Sequence, residues 1–146
     1  MYAVERINEY NYNRFEDMLH WRANGNEREP VYDAVSDEVK RELADPNLYV
    51  YAAEADGRYV GWISLVYLPK VSRVKRGYVY VDELWVAPPY RGRGIAKRLM
   101  AEADALCAEL IATGVRLYVN VENPTAKQLY ENCGYAGEEK AYFMEK

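Results

Sequence analysis

Hydrophobic and polar positions change period along the chain, and those changes divide it into elements. Residues 2–7 alternate weakly, which predicts an edge strand. Phe15, Met18 and Leu19 share one side of a helix predicted over residues 12–21, which Ala23-Asn24-Gly25-Asn26 breaks. Ser36, followed by Asp37 and Glu38, reads as the N-cap of a helix ending near Asp45-Pro46. Residues 48–54 and 58–68 read as strands flanking Asp56-Gly57, a two-residue hairpin signal. Pro69 ends the second strand, and residues 70–76 form a basic loop. A third long strand, rich in Tyr and Val, covers 77–86 and stops at Pro88-Pro89.

Helical period returns over 93–113, where Ile95, Leu99, Met100, Ala103, Leu106, Cys107 and Leu110 make one broad apolar face and Gly114 supplies the C-terminal cap. Residues 115–121 alternate as a strand. Residues 124–132 read as a helix with Asn123 as cap, Pro124 at its first position and Gly134 at its end. Tyr135 and residues 141–144 are expected to be short final strands. The order β-α-α-β-β-β-α-β-α-β-β predicts a mixed α/β fold around one sheet.

Composition narrows the class. The 146 residues are 50% hydrophobic, enough for one domain with a real core and too few for two ordinary ones. No apolar run approaches the ~20 residues of a membrane span, and the N-terminus lacks a signal peptide's apolar block. Cys107 and Cys133 make neither a disulfide framework nor a zinc spacing. A reducing cytoplasm, no membrane and no metal are therefore expected. The net charge of −4 hides a segregation: residues 70–98 hold eight Lys/Arg against only Asp82 and Glu83. Such a field attracts an anion to one place and a cation to another, although a chance run of solvated charge has the same appearance. The basic patch is too small for a nucleic-acid interface.

The chemistry concentrates where the third long strand meets the helix after it. Gly92 and Gly94 let backbone approach a ligand closely. The first helical turn presents unpaired N–H groups and partial positive charge, which suits phosphate oxygens. Arg91, Arg93, Lys97 and Arg98 add formal charge at the same point. The spacing Arg91-x-x-Gly94-x-Ala96, after Leu84-Trp85-Val86-x-Pro88, resembles the coenzyme-A signature of the GNAT superfamily of N-acetyltransferases. A second block, Asn123-x-x-Ala126-x-x-Leu129-Tyr130-x-x-x-Gly134-Tyr135, resembles that family's helix after the fifth strand.

The resemblance covers essentially the whole chain and implies one acetyltransferase domain over residues 1–146. It implies a mostly antiparallel sheet whose parallel fourth and fifth strands splay apart, with flanking helices and acetyl-CoA entering the gap. Backbone groups of Leu84, Trp85 and Val86 would line the pantetheine arm. Arg91, Gly92, Arg93, Gly94, Ile95 and Ala96 would hold the pyrophosphate through their N–H groups. Asn123 would bond the pantetheine region, and Lys127 would reach a phosphate or remain a solvated lysine. Tyr130 would protonate the departing thiolate; its alternative is a packed core aromatic.

An alkylamine is almost wholly protonated at pH 7, so transfer to one needs a base. Asp82 and Glu83 are the acids beside the expected thioester, with solvated strand-end charges as the alternative. Strand alternation lets one of them face the acceptor unless a bulge intervenes. Related polyamine and aminoglycoside enzymes place an acid where Asp82 stands, so Asp82 ranks first and Glu83 second. The expected activity is direct acetyl transfer to a primary amine, the acidic remainder of the chain favouring a cationic small molecule. Alternatives are a protein N-terminal or lysine acetyltransferase and a non-catalytic acetyl-CoA sensor. Dimers are frequent in this family, so a homodimer is among the expected assemblies. His20, Cys107, Cys133 and the three tryptophans are expected outside the chemistry.

Overall fold

The computed structural model describes residues 2–72, 74, 76–137 and 141–146. Five strands form one sheet in the order β1-β2-β3-β4-β5, with β1 Ala3–Arg6, β2 Leu48–Ala55, β3 Arg58–Leu68, β4 Tyr78–Val86 and β5 Gly114–Leu117. The first four pair antiparallel, while β4 and β5 are parallel. Parallel neighbours need a crossover connection, and α3 (Ile95–Glu109) supplies it. The mixed α/β architecture with one parallel pair at its end is the one expected.

Local chemistry accounts for most element ends. Asp56 and Gly57 both take positive φ (51° and 77°), the twist a two-residue hairpin turn requires between β2 and β3. Ser36 accepts a hydrogen bond from the Val39 N–H and starts α2 (Asp37–Leu43). Asn123 accepts one from the Ala126 N–H and starts α4 (Pro124–Asn132). The first helix, α1 (Tyr12–Asn24), ends at Gly25 in the left-handed region, three residues beyond its expected end.

The sheet is covered on both faces. On one, Phe15 and Met18 of α1 pack against Ala52, Tyr59 and Trp62, with the Phe15 and Trp62 rings edge to face at 5.8 Å. On the other, Leu99, Met100, Ala103 and Leu106 of α3 pack against Ala53, Val60, Ile63, Leu65 and Val79. These α3 side chains are essentially buried, each worth about 1.5–3 kcal/mol of burial for the larger ones.

Three expectations need correction. The fifth strand ends at Leu117, because pairing with β4 stops at the Val81–Leu117 register, and Tyr118–121 run on unpaired. The α3 helix begins at Ile95 and stops at Glu109, shorter than the apolar period suggested. Among the described residues, neither Tyr135 nor 141–146 is a strand: an alternating or apolar run becomes a strand only with a partner edge to complete its hydrogen bonds. Residues 138–140, and Arg73 and Lys75 of the expected basic loop, lie outside the described residues.

Candidate active site

The β4–β5 ladder runs from Tyr78↔Gly114 to Val81↔Leu117, and beyond it β4 continues for five residues with its outer edge unpaired. A gap therefore opens between the two parallel strands at residue 82. At the same point the β3–β4 register slips: Leu65 pairs with Val81 and Ser64 with Glu83, so Asp82 is the extra residue of a β-bulge. Side chains record the slip. Val79 and Val81 pack into the α3-side core, and so do Leu84 and Val86. The two residues between, Asp82 and Glu83, both leave that face.

Glu83 emerges towards α1. Glu83 accepts a hydrogen bond from the Arg22 guanidinium at 2.8 Å, and that guanidinium also lies 5.2 Å from the centre of the Trp62 ring. The pair is half-exposed, so its contribution to stability is small, ~0–1 kcal/mol. Asp82 is exposed and has no ion pair or hydrogen bond to its side chain among the described residues. Beside it on the same face, Tyr80 stacks on the exposed Tyr118 with ring centres 6.4 Å apart, and Arg116 covers Tyr78 at 3.4 Å.

Backbone direction along the free part of β4 follows from one bond. The Ala87 N–H donates to Val60 of β3 at 2.8 Å. Alternation then turns the N–H and C=O of Trp85 to β3 as well, and those of Leu84 and Val86 to the open edge. Arg91 Nε donates to the Val86 carbonyl at 2.9 Å, which draws the following turn across that edge. Of the three residues expected to line the edge through their backbone, Leu84 has both groups free to do so and Val86 its N–H, the Val86 carbonyl being taken by Arg91. Trp85 instead contributes its ring, edge to face with Trp21 at 6.0 Å and 5.2 Å from Trp62.

The turn after β4 begins with a 3₁₀ segment, Pro88–Tyr90, that the sequence pattern did not separate. Gly92 and Gly94 take φ of 73° and 81°, and a Cβ on either would meet nothing within 4 Å. These glycines are thus required by conformation, and the space in front of them is open. Gly94 caps α3 with no side-chain hydrogen bond, leaving the first-turn N–H groups after it without intrahelical acceptors. Arg91 and Arg93 are exposed around the turn, with Arg93 5.1 Å above the Tyr90 ring. Tyr90 in turn donates to Asp56 of the hairpin at 2.7 Å. An open, N–H-lined and cationic helix start of this kind fits a pyrophosphate.

On α4, the Asn123 oxygen is taken by its capping bond, which leaves its amide N–H₂ to donate elsewhere. Lys127 is largely exposed and pairs with Glu131 at 3.5 Å. Tyr130 is half-buried against the α3-side core and meets Tyr135 edge to face at 6.2 Å. Burial pushes the Tyr130 phenol above its ordinary value, and Cys133 adds to the shift, so the hydroxyl is protonated across the neutral range. Tyr130 and Glu83 consequently lie on opposite faces of the sheet.

A family model described as the acetyltransferase (GNAT) family matches residues 12–135. The chain belongs to this family. An uncharacterised N-acetyltransferase of Mycobacterium bovis is 33% identical over 93 residues, 64% of this chain and 56% of that protein, so the match spans little more than half of that relative's length. The aminoalkylphosphonate N-acetyltransferase of Salmonella typhimurium is 31% identical over 107 residues, 71% of this chain and 67% of that one. Among solved structures, the aminoglycoside acetyltransferase AAC(6′)-Iy in complex with a coenzyme-A-linked bisubstrate analogue shares the fold with a TM-score of 0.78 at 17% identity, covering 100% of this chain and 98% of that one.

Within this GNAT chain, sequence reasoning missed Arg22 and the Tyr80–Tyr118 pair. The tyrosines had a usable signal, since Tyr78, Tyr80 and Asp82 alternate on one strand and Arg116 and Tyr118 on its neighbour. Arg22 had none, being 61 residues from Glu83. His20, expected outside the chemistry, is engaged by the Asn24 amide one turn along α1. No helix is long and apolar enough to cross a membrane among the described residues.

Proposed function

We propose that residues 1–146 form one acetyl-CoA-dependent N-acetyltransferase domain that acetylates a primary amine on a cationic small molecule by direct attack. The observation that carries this reading is the gap at residue 82, where a free carboxylate, an open strand edge and a glycine-capped helix start converge. Gly92–Ala96 N–H groups, with Arg91 and Arg93, would hold the pyrophosphate; Leu84 and Val86 would bond the pantetheine arm along the free edge. The Asn123 amide would donate to the same arm, and Lys127 would lie near a phosphate. Bound acetyl-CoA supplies an acetyl thioester as donor. Two free cysteines fit a reducing cytoplasm.

Asp82 takes the proton from the acceptor ammonium on the α1 face, freeing the nitrogen lone pair to attack the thioester carbonyl. The Val86 N–H on the open edge stabilises the charge that develops on the carbonyl oxygen. As the C–S bond breaks, Tyr130 gives its phenolic proton to the sulfur; the nitrogen's second proton leaves to water as the amide forms, and water returns a proton to Tyr130. A thiolate of pKa ~8.5 leaves readily, so modest assistance suffices. The aminoglycoside enzyme of the same fold and the aminoalkylphosphonate relative both act on amines, which supports the acceptor class.

The test is release of free thiol from acetyl-CoA with a panel of diamines, aminoglycosides, aminoalkylphosphonates and lysine-bearing or N-terminal peptides. Turnover with small amines is expected. Tight acetyl-CoA binding without turnover on any acceptor points to a sensor, and turnover confined to peptides points to a protein acetyltransferase.

A further inference from the structure

Asp82 and Glu83 are chemically near-equivalent, adjacent, and turned to the same face by the bulge, so geometry along β4 alone does not choose a base between them. Their surroundings differ in one respect. Glu83 is held by Arg22 at 2.8 Å, and Arg22 is itself braced over Trp62, whereas Asp82 has no cation against it among the described residues. The Glu83 oxygen that accepts from the guanidinium has a lone pair engaged and its carboxylate held in place, so it is less available to an incoming ammonium. Among the described residues, Asp82, the preceding residue of the strand, has both of its oxygens open.

We propose that Arg22 is a positioning residue that assigns the base: by engaging Glu83 it leaves Asp82 as the proton acceptor. This deepens the acetyl-transfer reading and rests on it. Arg22 acts through Glu83; it touches neither the thioester nor the amine.

The experiment compares the cost of losing Asp82 in two backgrounds, using one primary amine that the native protein acetylates. Asp82→Asn is expected to lower kcat by roughly 100-fold or more, in line with the loss of a general base. In the Arg22→Gln background, Glu83 is released on the same face, and the same Asp82→Asn change is expected to cost at least about tenfold less. Arg22→Lys keeps the cation, so in that background the full cost should return. An undiminished cost with Arg22→Gln would overturn the assignment, and so would an equal reduction with Arg22→Lys. A native protein that turns over no amine at all would instead sink the acetyl-transfer reading, and this assignment with it.

Discussion

Val81 and Leu84 stand three positions apart on one strand and yet pack into the same core. A regular strand would turn them to opposite faces. The bulge at Asp82 takes up the difference, and its consequence is that two acids share the face opposite that core. The same residue marks the end of the β4–β5 ladder, so the irregularity and the gap coincide.

Asp82→Asn follows directly. The amide is nearly isosteric, and Asp82 is exposed with no ion pair among the described residues, so stability should change by less than about 0.5 kcal/mol. Turnover should fall by roughly 10²–10⁴-fold, while acetyl-CoA affinity is unchanged. Steady-state kinetics with calorimetric acetyl-CoA binding checks both. A loss of affinity equal to the loss of turnover would assign Asp82 to the cofactor site.

Tyr130→Phe removes the proposed acid. Its hydroxyl makes no hydrogen bond in the described structure, and the ring that packs against the core and Tyr135 is retained. The expected result is a drop in kcat of roughly tenfold or more with KM for acetyl-CoA little altered. Because burial raises the Tyr130 pKa, its protonated form persists to pH ~10 and above. No alkaline fall in kcat from this group should appear below that pH; a native profile falling from pH 8, and flattened by Tyr130→Phe, would contradict it.

Much of this was legible in the sequence for reasons that are local. Asp56-Gly57, Ser36, Asn123-Pro124 and the two glycines of the anion turn each dictate backbone geometry within a few residues. The bulge was not legible in the same way, because it is a relation between β4 and Ser64–Leu65 of another strand. Nor was the Arg22–Glu83 pair, which depends on how α1 crosses the sheet. The final strands failed for the complementary reason: Tyr142, Phe143 and Met144 are apolar and β-prone, but they stay exposed without a paired edge. Pattern specifies what a segment could bury, and tertiary contact decides whether it does.

Two glycines separate cofactor binding from folding. Gly94 has a φ of 81° with open space around it, so Gly94→Ala should cost about 1–2 kcal/mol for the left-handed conformation alone. It should also weaken acetyl-CoA binding by at least about tenfold, since the shifted turn misaims its N–H groups. Gly77 is a close-approach position: a Cβ there would lie 2.2 Å from the Leu68 carbonyl and 2.8 Å from the Tyr67 ring. Gly77→Ala should destabilise by about 3 kcal/mol through backbone displacement. Urea unfolding paired with acetyl-CoA titration distinguishes them. Comparable affinity losses in the two variants, once each is fully folded, would remove the turn from the binding site.

Tyr135 offers a test in the opposite direction, a substitution that stabilises. Its hydroxyl is buried with no hydrogen-bond partner among the described residues, and burial drives its pKa far above the ordinary phenol value. An unpaired buried hydroxyl costs about 1–3 kcal/mol, so Tyr135→Phe should leave stability equal or raise it by up to about 1 kcal/mol. The shifted pKa adds a pH signature, shared with Tyr51, Tyr59 and Tyr130, whose values burial also raises. A phenol that holds its proton more tightly when folded contributes its full stability below the unfolded pKa of about 10. Above that pH the unfolded chain binds fewer protons than the native one, and stability falls as pH rises. The urea midpoint should therefore be flat with respect to these groups between pH 7 and 9 and decline beyond 10, less steeply in Tyr135→Phe. A destabilised Tyr135→Phe, or an unaltered alkaline slope, would mean that the Tyr135 hydroxyl has a polar partner in solution.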